Sequence, residues 1–275
     1  MKIKLLATIA LLSIGFASCT KDEDEAFTAR NARTSNEIDR LTDDVSIIAE
    51  EEYQNQLAAA GRPLPSQAFL PTCATVTTTV ANEIWTSVID FGQTGCQLPS
   101  GALATGQIIV SGNTDFTTTS HEVNYTFNDF FYNDRKVEGN RHVMFSWQST
   151  TAQPEAHTVA NIDLDLTVTY PNGNAYHRTG SRTRELIQGY DTPLNWLDNV
   201  YQVTGSWQTV GPNGTWTTSI DMPLVWYTTC PYVGAGTLTF SVANNTAILD
   251  YGDGTCDYFA TLTVNGNSEA TVLLN

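Results

Sequence analysis

The sequence predicts an all-β body built as a long antiparallel meander, preceded by one N-terminal helix. Two observations carry this. From Cys73 onward apolar residues fall at every second position, most clearly in Ile162-Asp163-Leu164-Asp165-Leu166-Thr167-Val168-Thr169-Tyr170. That period gives a strand one buried and one wet face. These runs are also joined by short turn-forming stretches, so successive strands pair as hairpins. A sheet of about a dozen such strands leaves an apolar face exposed unless it curls, closes or doubles. A curled or barrel-like meander and a two-sheet sandwich both meet that requirement.

Taken in order, residues 1–18 form an export signal. Lys2 and Lys4 precede the apolar run Leu5–Phe16, which is too short to span a bilayer as a mature helix. Residues 19–35 read as an acidic tether. The segment 36–72 holds a helix over about 36–60 and then a Pro-rich linker. Ser35 is placed as its N-cap, and Ile38, Leu41, Val45, Ile48 and Leu57 fall near helical spacing. Acids cluster at Asp39, Asp43, Asp44 and Glu50–Glu52, and Gly61 and Pro63 stop the helix. The apolar stripe is narrow, so the helix either packs on the β body or stands as a stalk. Residues 73–275 are the β body, with turns at Pro171–Asn174, Gly211–Gly214, Asn244-Asn245 and Asn265-Gly266.

The chain carries 29 Asp and Glu against 13 Lys and Arg, a formal net charge of −16. From Glu185 to the end there is no Lys, Arg or His. Such a surface repels nucleic acid and other polyanions and favours neutral ligands, cations or basic partners. Apart from Cys19 there are four cysteines, and in an exported chain they suggest two disulfides. Cys73 and Cys96 lie almost as far apart as Cys230 and Cys256, and each pair brackets two strand-like runs. Cys73–Cys96 and Cys230–Cys256 is therefore the expected pairing. No CxxC spacing supports a thiolate metal site.

An internal echo links the two ends of the body. Val88-Ile89-Asp90-Phe91-Gly92-Gln93-Thr94-Gly95-Cys96 shares the frame apolar-apolar-Asp-aromatic-Gly-x-x-x-Cys with Ile248-Leu249-Asp250-Tyr251-Gly252-Asp253-Gly254-Thr255-Cys256. Two related stapled hairpins would produce it, and so would convergent turn chemistry.

The small-small-Cys ending Ala17-Ser18-Cys19 resembles a bacterial lipobox. The resemblance implies cleavage before Cys19 and lipidation of that residue. An ordinary secretory signal with an incidental cysteine is the competing reading, and it would leave an exposed thiol at the mature N-terminus. Lys21-Asp22-Glu23-Asp24-Glu25 is similar to the acidic export tag of surface-exposed lipoproteins of Bacteroidetes-type bacteria. The Ile-Asp-Phe-Gly and Leu-Asp-Tyr-Gly-Asp-Gly-Thr-Cys-Asp phrases resemble ones from that group. So do Val137-Glu138-Gly139, Arg182-Thr183-Arg184 and Val203-Thr204-Gly205. Together the resemblance implies outer-membrane lipid anchoring, display at the cell surface or on the periplasmic face, and an all-β body over residues 73–275. It implies no activity.

Three clusters are candidates for chemistry. Asp250, Asp253 and Asp257 sit in a Gly-punctuated loop that could offer oxygens to Ca²⁺, although Asp-Gly is also an ordinary hairpin turn. No other cofactor is implied. Trp196, Trp207, Trp216 and Trp226, with Tyr190, Tyr201 and Tyr227, crowd the base-free region. Aromatic rings beside carboxylates and amides suit a neutral glycan, whereas the same rings in strands suit a core. Arg135, Lys136, Arg141, Arg178, Arg182 and Arg184 form one patch only if their strands meet; charge scattered to balance the acids is the simpler expectation. His121, His142, His157 and His177 show no HxH or HExxH spacing, and no Ser lies in GxSxG. The expected function is non-catalytic binding of a neutral ligand or a partner protein, with an assembly role in an envelope complex as the alternative. A carboxylate-pair glycoside hydrolase would need two acids brought together by the fold.

Overall fold

Alternating side chains and tight turns produce one sheet in which nearly every strand pairs with its neighbour in sequence. The computed structural model describes residues 29–61, 70–192, 195–243, 245–266 and 268–274. Cys19 and Lys21–Glu25 lie outside them. The helix α1 spans Ala29–Ala59. The first strands are β1 (Thr75–Ala81), β2 (Ile84–Asp90), β3 (Cys96–Gln97) and β4 (Leu103–Asn113). The long middle strands are β5 (Ser120–Tyr132), β6 (Arg135–Gln148), β7 (His157–Thr169) and β8 (Ala175–Gln188). Then come β9 (Val200–Gly211), β10 (Gly214–Tyr227), β11 (Val233–Val242), β12 (Asn245–Asp253), β13 (Phe259–Val264) and β14 (Ser268–Leu273). All pairings are antiparallel, and the sheet runs in chain order from β1 to β14 with only β3 set aside on β4. The edges β1 and β14 do not pair, so the sheet is curled and not closed.

The helix explains the curl. Its side chains and backbone bond with Ser87 of β2, Tyr132 of β5, Arg141 of β6, Arg178 of β8 and, at the far end of the chain, Leu274. A helix about 10 Å across can reach strands so far apart in the sheet only if the sheet wraps around it. One row, Ile38, Leu41, Val45 and Ile48, is buried, and so is the adjacent row of Ser35, Thr42, Ser46, Ala49 and Tyr53. The stalk alternative is thereby excluded, and the helix lies in the concave face.

Its start differs from the expectation. Helix is already present at Ala29, so residues 29–35 are not tether. Ala32 is fully buried, and Ala and Arg are strong helix formers. Ser35 is an interior residue and no N-cap; its Oγ accepts a bond from Arg178 Nη2 at 3.0 Å. At the other end Gly61, at φ +88°, closes the last turn with its N–H on Ala58 O at 2.9 Å.

Inner-face glycines permit the wrapping. Gly205 has φ +133°, and a Cβ there would meet Ser181 O at 2.3 Å. Gly180, diagonal to it on β8, is equally crowded by Ser206 O. Kinks of this kind bend a sheet that regular pairing would leave flatter. Both ends are stapled as expected: Cys73–Cys96 brackets β1 and β2, and Cys230–Cys256 brackets β11 and β12, with Cα–Cα distances of 5.8 and 5.7 Å.

Candidate functional site

Strand alternation puts Arg178, Arg182 and Arg184 of β8 on one face, and that face is the concave one. Arg141 of β6 and Arg135 join them across β7. Arg178 is fully buried and Arg141 is 2% exposed. The expectation of scattered charge is corrected: β6 and β8 both pair with β7, which gathers the arginines beneath α1. Lys136 alone stays outside, paired with Glu138 at 2.7 Å.

Each guanidinium meets the helix. Asp39 accepts from both Arg178 and Arg182. Arg182 also reaches Asp43 at 3.5 Å, and Arg184 pairs with Glu50. Arg141 donates to Thr42 O at 2.9 Å and Ser46 Oγ at 2.7 Å. Arg135 and the Tyr170 hydroxyl each bond Glu37 at 3.0 Å. Aromatic rings supply the second contact. Arg182 and Arg178 lie 4.0 and 5.2 Å from the Trp207 ring centre, and Arg184 lies 5.2 Å from that of Tyr201. Arginine fits this role because its planar group can stack on a ring and still donate in its own plane.

The helix does not fill the concave face completely. Asp39, Asp43, Ile47, Glu50 and Gln54 fall on one stripe, and two chambers open along it. The smaller, of 330 Å³, is walled mainly by apolar groups including Ile48, Leu98, Val203, Leu224, Val233 and Leu274. The larger, of 610 Å³, is lined by Phe145, Trp147, Tyr190, Tyr201 and Trp226 together with Glu50, Gln54, Thr117–Thr119 and Asn199. Ile47, Arg184, Trp226 and Thr228 belong to both walls. Trp226 is held by stacking on Tyr201, with ring centres 5.5 Å apart, and by donating its Nε1–H to Cys230 O at 3.1 Å.

Burial sets the proton affinities around the smaller chamber. The Asp43 carboxyl is pushed up by desolvation against the pull of Arg182, although 57% of its side chain stays exposed and water screens much of the effect. The Tyr251 hydroxyl, which faces the same chamber, is also pushed up by burial, with Asp39 adding to the effect. Tyr132 is raised by burial and by Asp44, whose carboxylate accepts from its hydroxyl at 2.6 Å.

The four tryptophans singled out from the sequence divide. Trp207 and Trp216 are core, 3% and 5% exposed, and neither lines a chamber. For those two the glycan role gives way to packing: Trp207 lies under two arginines and Trp216 meets Tyr176 edge-on at 6.1 Å. Trp226 is at the junction of the chambers, and the side chain of Trp196 lies outside the described residues. Trp147, Phe145 and the helix stripe were not picked out from the sequence. The acids at 39, 43 and 50, one helical face apart from the apolar row, were the available signal.

The three aspartates proposed for Ca²⁺ are each used by a local turn. Asp250 accepts from Gly252 N at 2.8 Å, Asp253 from the Thr255 hydroxyl at 2.8 Å and Asp257 from Phe259 N at 2.9 Å. The Thr255 bonds hold the Asp253 carboxyl below its usual value. Among the described residues no group of three or more His, Cys, Asp or Glu is placed to hold a metal ion. The echo of the first hairpin does hold locally: Asp90 accepts from Gly92 N at 2.7 Å, as Asp250 does from Gly252. Compared with known proteins, the chain matches no family model, no curated protein and no solved structure. No helix among the described residues is long and apolar enough to cross a membrane.

Proposed function

We propose that this chain is an outer-membrane lipoprotein, anchored through lipid on Cys19 and displayed on the cell surface with the help of Lys21–Glu25. Its β body binds a neutral glycan without catalysing a reaction. The observation that carries the ligand assignment is the larger chamber. Flat rings from Trp147, Tyr190, Tyr201 and Trp226 stand beside amides, hydroxyls and a carboxylate that Arg184 already neutralises. Rings cover the C–H face of a sugar and the polar groups take its hydroxyls. The volume lies within the ordinary range of small-ligand sites, ~300–1,000 Å³.

A thermal-shift screen of neutral mono- and disaccharides tests this. A bound sugar stabilises by about 2.7 kcal/mol at a hundredfold excess over Kd, which reads as a raised Tm. Tyr190→Ala is expected to remove the shift while leaving the circular dichroism spectrum unchanged. If no neutral sugar shifts Tm, the glycan assignment fails.

One observation favours the envelope-assembly alternative. Every residue of the edge strand β1 is exposed, with Val76 and Val80 at 42% and 65%. Such an edge can template a partner strand. A photo-crosslinker at Val80 on intact cells decides: adducts with another envelope protein support assembly, and their absence removes it.

A further inference from the structure

The two chambers differ in chemistry and share a wall, and a ligand confined to the larger one leaves the smaller unused. The larger is lined by rings, hydroxyls and amides together with Glu50, Glu51, His121 and Arg184. The smaller presents mostly aliphatic surface: Ile48 from the helix, Leu98 from the loop after β3, Val203, Leu224 and Val233 from the sheet, and Leu274 after β14. Its charged groups are already held within the fold. Arg182 is held by Asp39 and Asp43, Arg184 by Glu50, Asp44 by the hydroxyls of Tyr132 and Ser100, and Arg40 by Ser100 O at 2.9 Å. In the lining Asp39, Asp43 and Asp44 balance Arg40, Arg182 and Arg184, so there is no net demand for an ionic ligand, and the aliphatic surface favours an apolar one. Trp226, Ile47, Thr228 and Arg184 form the junction, an aromatic ring and an aliphatic side chain beside a hydroxyl and a guanidinium that Glu50 already holds. They suit the point at which a polar head meets a hydrocarbon tail.

We propose that the site takes a neutral single-chain amphiphile, with its sugar head in the larger chamber and its alkyl tail in the smaller. The proposal rests on the glycan reading and adds the tail. At 330 Å³ the smaller chamber matches one alkyl chain, which is why the proposal is restricted to single-chain amphiphiles.

The test is isothermal titration calorimetry on the purified protein carrying Cys19→Ser, below micelle-forming concentrations. The probes are methyl, hexyl, octyl and decyl β-D-glucoside. Affinity is expected to rise by roughly fourfold per buried methylene and then to level off once the chamber is full. Leu224→Phe fills the smaller chamber, and it is expected to bring octyl glucoside down to the affinity of methyl glucoside without changing the latter. Val203→Leu, a smaller change, is expected to move the levelling point to a shorter chain even if Leu224→Phe does not fold.

Equal affinity for methyl and octyl glucoside overturns the tail and leaves the glycan reading standing. Binding of the neutral apolar probe N-phenyl-1-naphthylamine with no binding of any glucoside overturns the head and with it the glycan reading. An affinity that rises with chain length without levelling off, and is insensitive to both variants, marks nonspecific partition and overturns the proposal. Sedimentation of the lipid-free protein with vesicles holding a diacyl glucosyl glycerolipid overturns the single-chain restriction.

Discussion

Asp39 on α1 accepts hydrogen bonds from Arg182 on β8, and through the same Oδ1 from Arg178. One carboxylate thus serves two guanidiniums that both lie on Trp207. Removing one partner of a buried pair strands the other charge, which costs about 3–5 kcal/mol. Here Arg178, fully buried, would lose its ion-pair partner, and Arg182, 5% exposed, would keep only the longer Asp43 contact at 3.5 Å. Asp39→Asn is therefore expected to lower unfolding free energy in urea by about that amount. Adding Arg182→Met should restore part of the loss, because it removes a charge left with one weak partner. A loss below about 1 kcal/mol, the scale of an exposed pair, would show that the helix is held by other contacts.

Gly205 sits opposite Arg182 in the β8–β9 register. With φ at +133°, and Ser181 O 2.3 Å from an added Cβ, it has no room for a side chain. Gly205→Ala is expected to destabilise by more than the ~1 kcal/mol that Gly→Ala gains at permissive sites. It should also loosen the arginine stack. The measurement is the urea midpoint together with near-ultraviolet circular dichroism, which reports Trp207. An unchanged midpoint would show that the strand can relax there.

The two disulfides close loops of 23 and 26 residues. In the chain-entropy account each contributes roughly 3 kcal/mol by restricting the unfolded chain. Cys73→Ser/Cys96→Ser and Cys230→Ser/Cys256→Ser should therefore lower stability by similar amounts. Since the curl brings Cys230 and Leu98, just past Cys96, to the walls of the smaller chamber, the quadruple variant reads whether the two losses add or couple. Calorimetric melting of the two double variants and the quadruple variant makes both comparisons. A loss from one pair far exceeding the other would mean that its hairpin holds more of the fold.

How far the sequence disclosed this arrangement depended on which interactions repeat along the chain. Strand alternation is local, so the meander, its turns and the pairing of Cys73 with Cys96 and of Cys230 with Cys256 could be read directly. The row Ile38, Leu41, Val45 and Ile48 marked a helix that buries one side. Its wrapping by the sheet was hidden, because the second buried row is Ser35, Thr42, Ser46 and Ala49, small or polar residues that resemble a solvated face. The arginine cluster was hidden for a related reason. Arg141 and Arg178 are far apart in sequence and meet only because β7 lies between their strands. Trp207 and Trp226 look alike in sequence, and only the curl sends one under the arginines and the other to the chamber wall.

Cys19 governs attachment in the proposed assignment. Cys19→Ala is expected to abolish incorporation of radiolabelled palmitate and release the protein from the membrane fraction. Replacing Asp22–Glu25 with alanine should leave labelling intact but protect the protein from protease added to whole cells, since the proposal assigns the acidic segment to display and not to lipidation. Undiminished palmitate labelling of Cys19→Ala would overturn the anchor, and unchanged protease sensitivity of the alanine variant would overturn the export role.

Asp43 offers a test of the chamber's electrostatics with a definite sign. Its carboxyl is raised above its ordinary value of 3.8, with burial the leading cause and Arg182 opposing. Between the unfolded and the folded pKa the native state binds more protons than the unfolded chain, so this group makes stability fall as pH rises through that window. Its cost is fully present above the folded pKa and relieved below 3.8. Asp43→Asn keeps the shape and removes the charge. Arg182 keeps Asp39 as its main partner, since the Asp43 contact, at 3.5 Å, is the longer one. Because 57% of the Asp43 side chain is exposed, water offsets most of that cost, so the variant should be only slightly more stable than the parent at neutral pH, by less than about 1 kcal/mol, and the gap should close on acidification. Urea midpoints of both proteins from about pH 4 to about pH 7 read this out. If the variant is instead the less stable at neutral pH, the attraction of Arg182 outweighs the desolvation of Asp43, and the chamber holds that carboxylate as a structural counter-ion.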